Sequence, residues 1–401
     1  MNAENLMIVQ GGGPTAVFNA SLSSVIAEGI SQPRIGKVLG AKLGVKGLVQ
    51  GDVVDLGQMT PEQLRILQNS PGAALGSSRF KPSVGDMHRM VEHLRQLDIR
   101  HLIFMGGNGT MRGAEVVSAF CRSVNFNVQI LGVPKTVDND IAVTDRCPGY
   151  ASAARYVAQS TRDLGMDIRS LPQPVTILET MGRSVGWLAG ASALARVEEE
   201  DAPHLVYLPE IPFHQETFLA QLDKIVTRQG WAVVVVSEGI RNADGSLVYE
   251  MGDPSQLDPL KRPMTGGVGQ FLAGIVGENL KIRCRSEKPG LLGRSSMAHV
   301  SVQDRQDADL VGRAGVRALL AGESDKMVAL RPLANVDIGE AGYDLVPLSA
   351  TAGHERTIPG EWLSDGPLAV TKSFNEYLRP LVGDLRRYSP SFPSLQSMGV
   401  L

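Results

Sequence analysis

Lys135, Asp138, Asp140 and Asp145 lie in one short stretch, "GVPKTVDNDIAVTDRCPG" (132–149), directly behind an apolar run. An ammonium followed by carboxylates suits phosphoryl transfer to an alcohol. One carboxylate can take the hydroxyl proton while another helps hold Mg²⁺. The lysine, a compact cation, can neutralise charge on the moving phosphate. Asp138 and Asp140 are two positions apart and would point to the same side of an extended segment. An Asx-rich turn with a solvated lysine is the alternative reading of the same residues.

Two glycine loops offer places for an anion. "QGGGPTAVFNAS" (10–21) contains Gly12 and Gly13, and "MGGNGTMRGA" (105–114) contains Gly107, Asn108, Gly109 and Thr110. A glycine run between a strand and a helix leaves backbone N–H groups free to hold phosphate oxygens, aided by the helix dipole. A tight strand-to-helix turn is the plainer explanation of either loop alone. Neither is a common nucleotide signature: Gly113 falls one place late for a dinucleotide fingerprint, and residue 129, where an acid is wanted, is Gln. The only Gly-Lys pair, at 36–37, is followed by Val38, which excludes a P-loop. Arg79 in "GSSR" and Arg183 in "MGRSVGW" follow glycine-containing turns and suit phosphate contacts. Glu238 in "SEG" ends an apolar strand and could accept hydrogen bonds from sugar hydroxyls.

The elements that must carry these loops alternate. Strands are expected at 6–9, 102–105, 128–133, 175–179, 204–208 and 232–237. Helices are expected from about Val17 to Ile30, from near Met111, and over Ser152–Leu164. This alternation predicts an α/β chain with mostly parallel sheets sandwiched by helices, and ligands beyond the carboxyl ends of the strands.

The bulk numbers exclude other classes. At 401 residues, with 43% hydrophobic and 20% charged residues, the chain can bury two cores and is not disordered. A net charge of −3 speaks against nucleic acid as a partner. Cys121, Cys147 and Cys284 show neither pairing nor metal spacing, nor do the seven histidines. The run "WAVVVV" (231–236) is too short to span a bilayer, and the first residues do not read as a signal peptide. A cytoplasmic location without membrane partners is expected.

In this order, these segments resemble the A-type 6-phosphofructokinase family, and its pyrophosphate-using branch most closely through "PKT-x-DND". The resemblance runs from the first glycine loop to about residue 300. It implies two Rossmann-like lobes with the active site in a cleft, Mg²⁺ dependence, and a homodimer or homotetramer. Residues 1–150 with part of 290–360 would form the phosphoryl-donor lobe. Residues 151–290 with the C-terminal helices would form the sugar lobe. By position, Asp138 resembles the base that deprotonates the C1 hydroxyl of the sugar, and Asp140 its partner near the metal. Thr136 matches a contact to the moving phosphoryl group. Lys135 is characteristic of the pyrophosphate branch. Gly12, Gly13, Arg79, Gly107, Asn108, Gly109 and Thr110 match donor-binding positions, and Asn108, Asp138 and Asp140 are the candidate magnesium ligands. Met181, Gly182, Arg183 and Glu238 match sugar-binding positions. Arg285 and Arg294 resemble the pair that grips the sugar 6-phosphate, one of which comes from a neighbouring subunit in the family.

Four positions depart from the family pattern. Asn108 replaces the usual Asp, and an amide binds Mg²⁺ more weakly than a carboxylate. Gly109 leaves open the space of a nucleotide α-phosphate, as in ATP users, whereas Lys135 points to pyrophosphate. Pro174 and Leu291 stand where a basic residue and a His or Tyr would serve the sugar 6-phosphate. The leading expectation is transfer from pyrophosphate to fructose 6-phosphate. ATP as donor, a different sugar, sugar phosphate or polyol as acceptor, and a catalytically weak ligand sensor are the alternatives.

Overall fold

The computed structural model describes residues 4–78, 80–170, 174–250, 266–335, 342–351 and 353–388. The chain divides into two compact units, residues 1–153 with 294–356, and residues 154–293 with 357–401.

Seven strands of the first unit form one sheet: β1 (Glu4–Gln10), β2 (Ile35–Ala41), β3 (Val53–Asp55), β4 (Ile99–Gly106), β5 (Gln129–Pro134), and later β10 (Lys326–Leu330) and β11 (Tyr343–Pro347). Their order is β11-β10-β5-β4-β1-β2-β3. The inner pairs β5-β4, β4-β1 and β1-β2 run parallel, while the outermost pairs, β2-β3 and β10-β11, run antiparallel. Central strands are apolar throughout because both faces are covered. Alternation sends Met7, Val9, Leu102, Phe104 and Ile130 into one core. Leu6, Ile8, Ile103, Met105 and Leu131 enter the other. The chain order reverses beside β1, where β2 lies on one side and β4 on the other, and parallel sheets open a ligand crevice at such a point.

The second unit holds a four-stranded parallel sheet in the order β7-β8-β6-β9. Its strands are β6 (Val175–Thr180), β7 (Leu205–Tyr207), β8 (Ala232–Ser237) and β9 (Cys284–Glu287). Val175, Ile177, Val234 and Val236 build its core with Phe218 and Leu272.

Helix bounds differ from the sequence expectation at one instructive place. The helix expected from Met111 begins at Asn108 and runs to Ser123. Gly107 takes the N-cap position, so "GGNGT", which reads as a turn, is already the first helical turn. The other two helices span Phe18–Ser31 and Tyr150–Arg169.

Candidate active site

Three loops of the first unit leave the carboxyl ends of the neighbouring parallel strands β1, β4 and β5: the two glycine loops and the acidic loop. They are stitched together at their roots. Gly11 N–H donates to the Met105 carbonyl (2.8 Å), and Lys135 N–H donates to the Gly106 carbonyl (3.0 Å). The Thr110 side chain fills the space between the loops. A Cβ on Gly11 would lie 2.5 Å from Thr110 Oγ1, and one on Gly106 would lie 2.2 Å from it. Glycine is therefore required at both positions for steric reasons alone.

Two cations converge on the first loop. A Cβ on Gly12, whose φ is +75°, would meet Lys135 Nζ at 3.2 Å, and one on Gly13 would meet Arg294 Nη1 at 2.7 Å. The Lys135 ammonium is only 2% exposed, donates to the Gly13 carbonyl, and lies 4.6 Å from the Phe18 ring centroid. Burial, reinforced by the Arg294 charge, lowers its pKa to about 8 against the pull of Asp138 and Asp140. A buried ammonium beside a guanidinium at a glycine loop is a place for polyanionic oxygens. Arg294, which the resemblance assigns to the sugar 6-phosphate, lies against Gly13 of the first glycine loop.

The acidic loop is anchored, not solvated. Asn139 is fully buried, adopts φ +54°, and accepts the Cys147 N–H at 3.0 Å. Asn tolerates this left-handed backbone where most residues do not. The segment is therefore bent, and the extended-chain argument that put Asp138 and Asp140 on one side does not hold. Asp138 N–H bonds Thr136 Oγ1 at 3.1 Å, while Asp140 takes Asn108 Nδ2 on its carbonyl (2.9 Å) and on Oδ2 (3.0 Å). Asp145 belongs to the scaffold. It pairs with Arg146 at 3.3 Å, and Arg146 makes a buried bidentate pair with Asp307 (2.7 and 2.8 Å). Asp304, buried, accepts Gly149 N–H (2.8 Å) and Ser152 N–H (3.0 Å) where the Tyr150–Arg169 helix begins. Arg79 lies outside the described residues.

In the second unit, the "MGR" and "SEG" loops leave the neighbouring strands β6 and β8. Glu238 N–H donates to the Thr180 carbonyl (3.0 Å), and Ser237 Oγ donates to the Gly182 carbonyl (2.5 Å). Gly182 has φ +133°, and a Cβ on Gly239 would fall 1.9 Å from the Arg183 carbonyl. Close backbone approach thus holds Met181, Gly182 and Arg183 against Glu238. Arg285 is not brought to them. It pairs in register with Thr176, five residues back from the end of the sheet where Glu238 leaves, or roughly 16 Å at a strand rise of about 3.3 Å per residue. Its side chain is exposed on edge strand β9.

The phosphofructokinase profile matches residues 5–319. The chain belongs to the phosphofructokinase family. Pyrophosphate–fructose 6-phosphate 1-phosphotransferase of Xanthomonas campestris pv. campestris is 36% identical, over 95% of this chain and 92% of that protein. Sulfofructose kinase of Alkalicoccus urumqiensis is 35% identical, over 94% of each. A solved pyrophosphate-dependent phosphofructokinase from Marinobacter aquaeolei superposes with a TM-score of 0.83 at 31% identity, covering 97% of this chain and 94% of that one. The family, the phosphofructokinase fold and phosphotransferase activity expected from the sequence are borne out. No described helix is long and apolar enough to cross a membrane.

In this member of the phosphofructokinase family, two buried oxygens could take part in holding a cation. Asn108 Oδ1 and Asp140 Oδ1 are buried acceptors without hydrogen-bond partners, on two side chains already bonded to each other. Among the described residues no three His, Cys, Asp or Glu side chains gather to hold a metal by themselves. An amide oxygen and a carboxylate oxygen are the ligand types Mg²⁺ accepts, and a site built on them would need further oxygen ligands.

Sequence reasoning missed Glu179 and Lys288. Glu179 is 1% exposed near the end of apolar β6, and Lys288 follows β9 directly. A carboxylate inside the run "VTILET" was the available signal.

Proposed function

We propose that this protein transfers a phosphoryl group from pyrophosphate to the C1 hydroxyl of fructose 6-phosphate. The observation carrying the reading is the convergence of Lys135 Nζ and Arg294 Nη1 on Gly12 and Gly13. The donor's oxygens would rest on the N–H groups of both glycine loops and at the start of the Asn108–Ser123 helix, with Lys135 and Arg294 balancing their charge. Asn108 and Asp140, with Asp138 adjacent, would hold Mg²⁺, which supplies charge neutralisation across the phosphates. Asp138 removes the acceptor hydroxyl proton as the oxygen attacks phosphorus. Thr136, buried beside it, contacts the transferred group. Met181, Gly182, Arg183 and Glu238 position the sugar, with Arg285 delivered to a neighbouring copy. Residues 1–153 with 294–356 serve the donor and residues 154–293 with 357–401 the sugar. A cytoplasmic homodimer or homotetramer belongs to this reading.

Two finer points favour specific alternatives. A Cβ on Gly109 would meet nothing within 4 Å, so room remains for the α-phosphate of ATP. Pro174, together with the 63% exposed Leu291, leaves the sugar 6-phosphate without two expected partners. A less charged acceptor fits that loss, and a 35% identical relative is named sulfofructose kinase. The test is to incubate the protein with Mg²⁺, pyrophosphate or ATP, and a panel of sugars, sugar phosphates and a sugar sulfonate, following products by mass spectrometry. Product from pyrophosphate and fructose 6-phosphate is expected. Product only with ATP, or only with another acceptor, replaces the corresponding half, and no product from any pair favours the sensor.

A further inference from the structure

Lys288 sits where the second unit's charges meet. Its ammonium is 2.7 Å from Glu179 Oε1 and 3.8 Å from Glu238 Oε2, with the side chain 44% exposed. Glu179 is fixed in turn by the start of the Val268–Leu280 helix, accepting Gly267 N–H on both oxygens (3.0 Å each) and Gly269 N–H at 2.9 Å. The three side chains close around Gly266. A Cβ there would lie 2.1 Å from Lys288 Nζ, 3.3 Å from Glu179 Oε1 and 3.6 Å from Glu238 Oε2. Gly266 has φ +116°, so both conformation and space select glycine.

This is a chain of charge running from a helix N-terminus through a buried carboxylate to an ammonium and on to a half-buried carboxylate. Glu179 has no role at a substrate, since its two oxygens are spent on backbone N–H groups and the lysine. Its effect is to hold Lys288 in place. Lys288 in turn faces Glu238, a carboxylate at the end of this sheet.

We infer that Lys288 is a positioning residue for acceptor binding, holding Glu238 aimed at the sugar hydroxyls through the Glu179 anchor. The inference rests on the acceptor role assigned to Glu238 above and deepens it. Loss of Lys288 removes this contact from Glu238 and weakens acceptor binding while leaving the donor alone.

Calorimetric titration of Lys288→Met with fructose 6-phosphate, without donor, should show binding about tenfold weaker than wild type, the weight of one charge-assisted contact. Pyrophosphate binding should stay within twofold, which also reports an intact fold, and Lys288→Arg should recover most of the loss. In a Glu238→Gln background the same substitution should add less than twofold, because its effect passes through Glu238. Acceptor binding within twofold of wild type in Lys288→Met, or an equal loss in both backgrounds, would overturn the inference. Wild type that binds the sugar yet forms no product would sink the phosphotransfer reading and leave Lys288 standing. Wild type that binds no sugar would sink both.

Discussion

Lys135→Met should separate stability from donor binding. The ammonium releases its proton near pH 8 in the fold and near 10.5 when unperturbed. Each pH decade is worth about 1.36 kcal/mol, so keeping Lys135 charged in the native state at pH 7 costs on the order of 3 kcal/mol. The sign follows from proton counts. Between pH 8 and 10.5 the unfolded chain binds this proton and the native chain does not, so wild-type stability gains with rising pH across that window. Methionine fills a similar volume against Phe18 and carries no charge, so its stability lacks this component. Urea unfolding at pH 7.5, 9 and 10.5 should show wild type gaining about 3 kcal/mol on Lys135→Met across the series. The comparison cancels the lost hydrogen bond to the Gly13 carbonyl, which is common to every pH. Binding should move the other way. Pyrophosphate stabilises the ammonium, so wild type should take up a proton on binding it near pH 8.5, seen as buffer-dependent binding heat, and Lys135→Met should bind it far more weakly without that uptake. Parallel stability curves for the two proteins from pH 7.5 to 10.5 would refute the reasoning.

Other substitutions test the remaining parts. Asp138→Ala should lower kcat about 10²–10⁴-fold, the usual weight of a general base, and a variant within twofold of wild type in steady-state assay would assign the base elsewhere. Asn108→Asp removes the amide that donates to Asp140 and sets two carboxylates together; it should lose about 1–3 kcal/mol without divalent cation. Its melting temperature should then rise more with Mg²⁺ than that of wild type, and equal shifts would move the cation site. Gly109→Asp meets open space in the first helical turn, where an acid is favoured by about 0.3–1 kcal/mol. It should keep pyrophosphate turnover within about threefold while suppressing any turnover with ATP, which coupled assays with each donor would measure.

Much of this fold is written in strand composition. β1, β4, β5, β6 and β8 are apolar on both faces because helices cover both, and such runs stand out between glycines. The short β3 and the edge strand β11 are half-exposed, carry no such run, and escape notice; their antiparallel pairing depends on distant partners. The start of the Asn108–Ser123 helix is hidden because Gly-Asn-Gly has low helical propensity and is held by its place beside β1 and β5. In the acidic loop the residue types are legible but their directions are not. The bend at Asn139 depends on a hydrogen bond to Cys147, eight residues on. Lys288 is silent for the same reason, since its meaning comes from Glu179 and Glu238, 109 and 50 residues earlier in the chain and brought to it only by sheet order.

The clamps on the acidic loop have a bearing on how the polypeptide is made. Arg146 and Gly149 are held by Asp307 and Asp304, which lie 161 and 155 positions later in the chain. A growing polypeptide thus displays its entire signature motif long before the side chains that set its shape leave the ribosome. Fragments ending ahead of Val302 would contain every residue of that motif and still lack its working form.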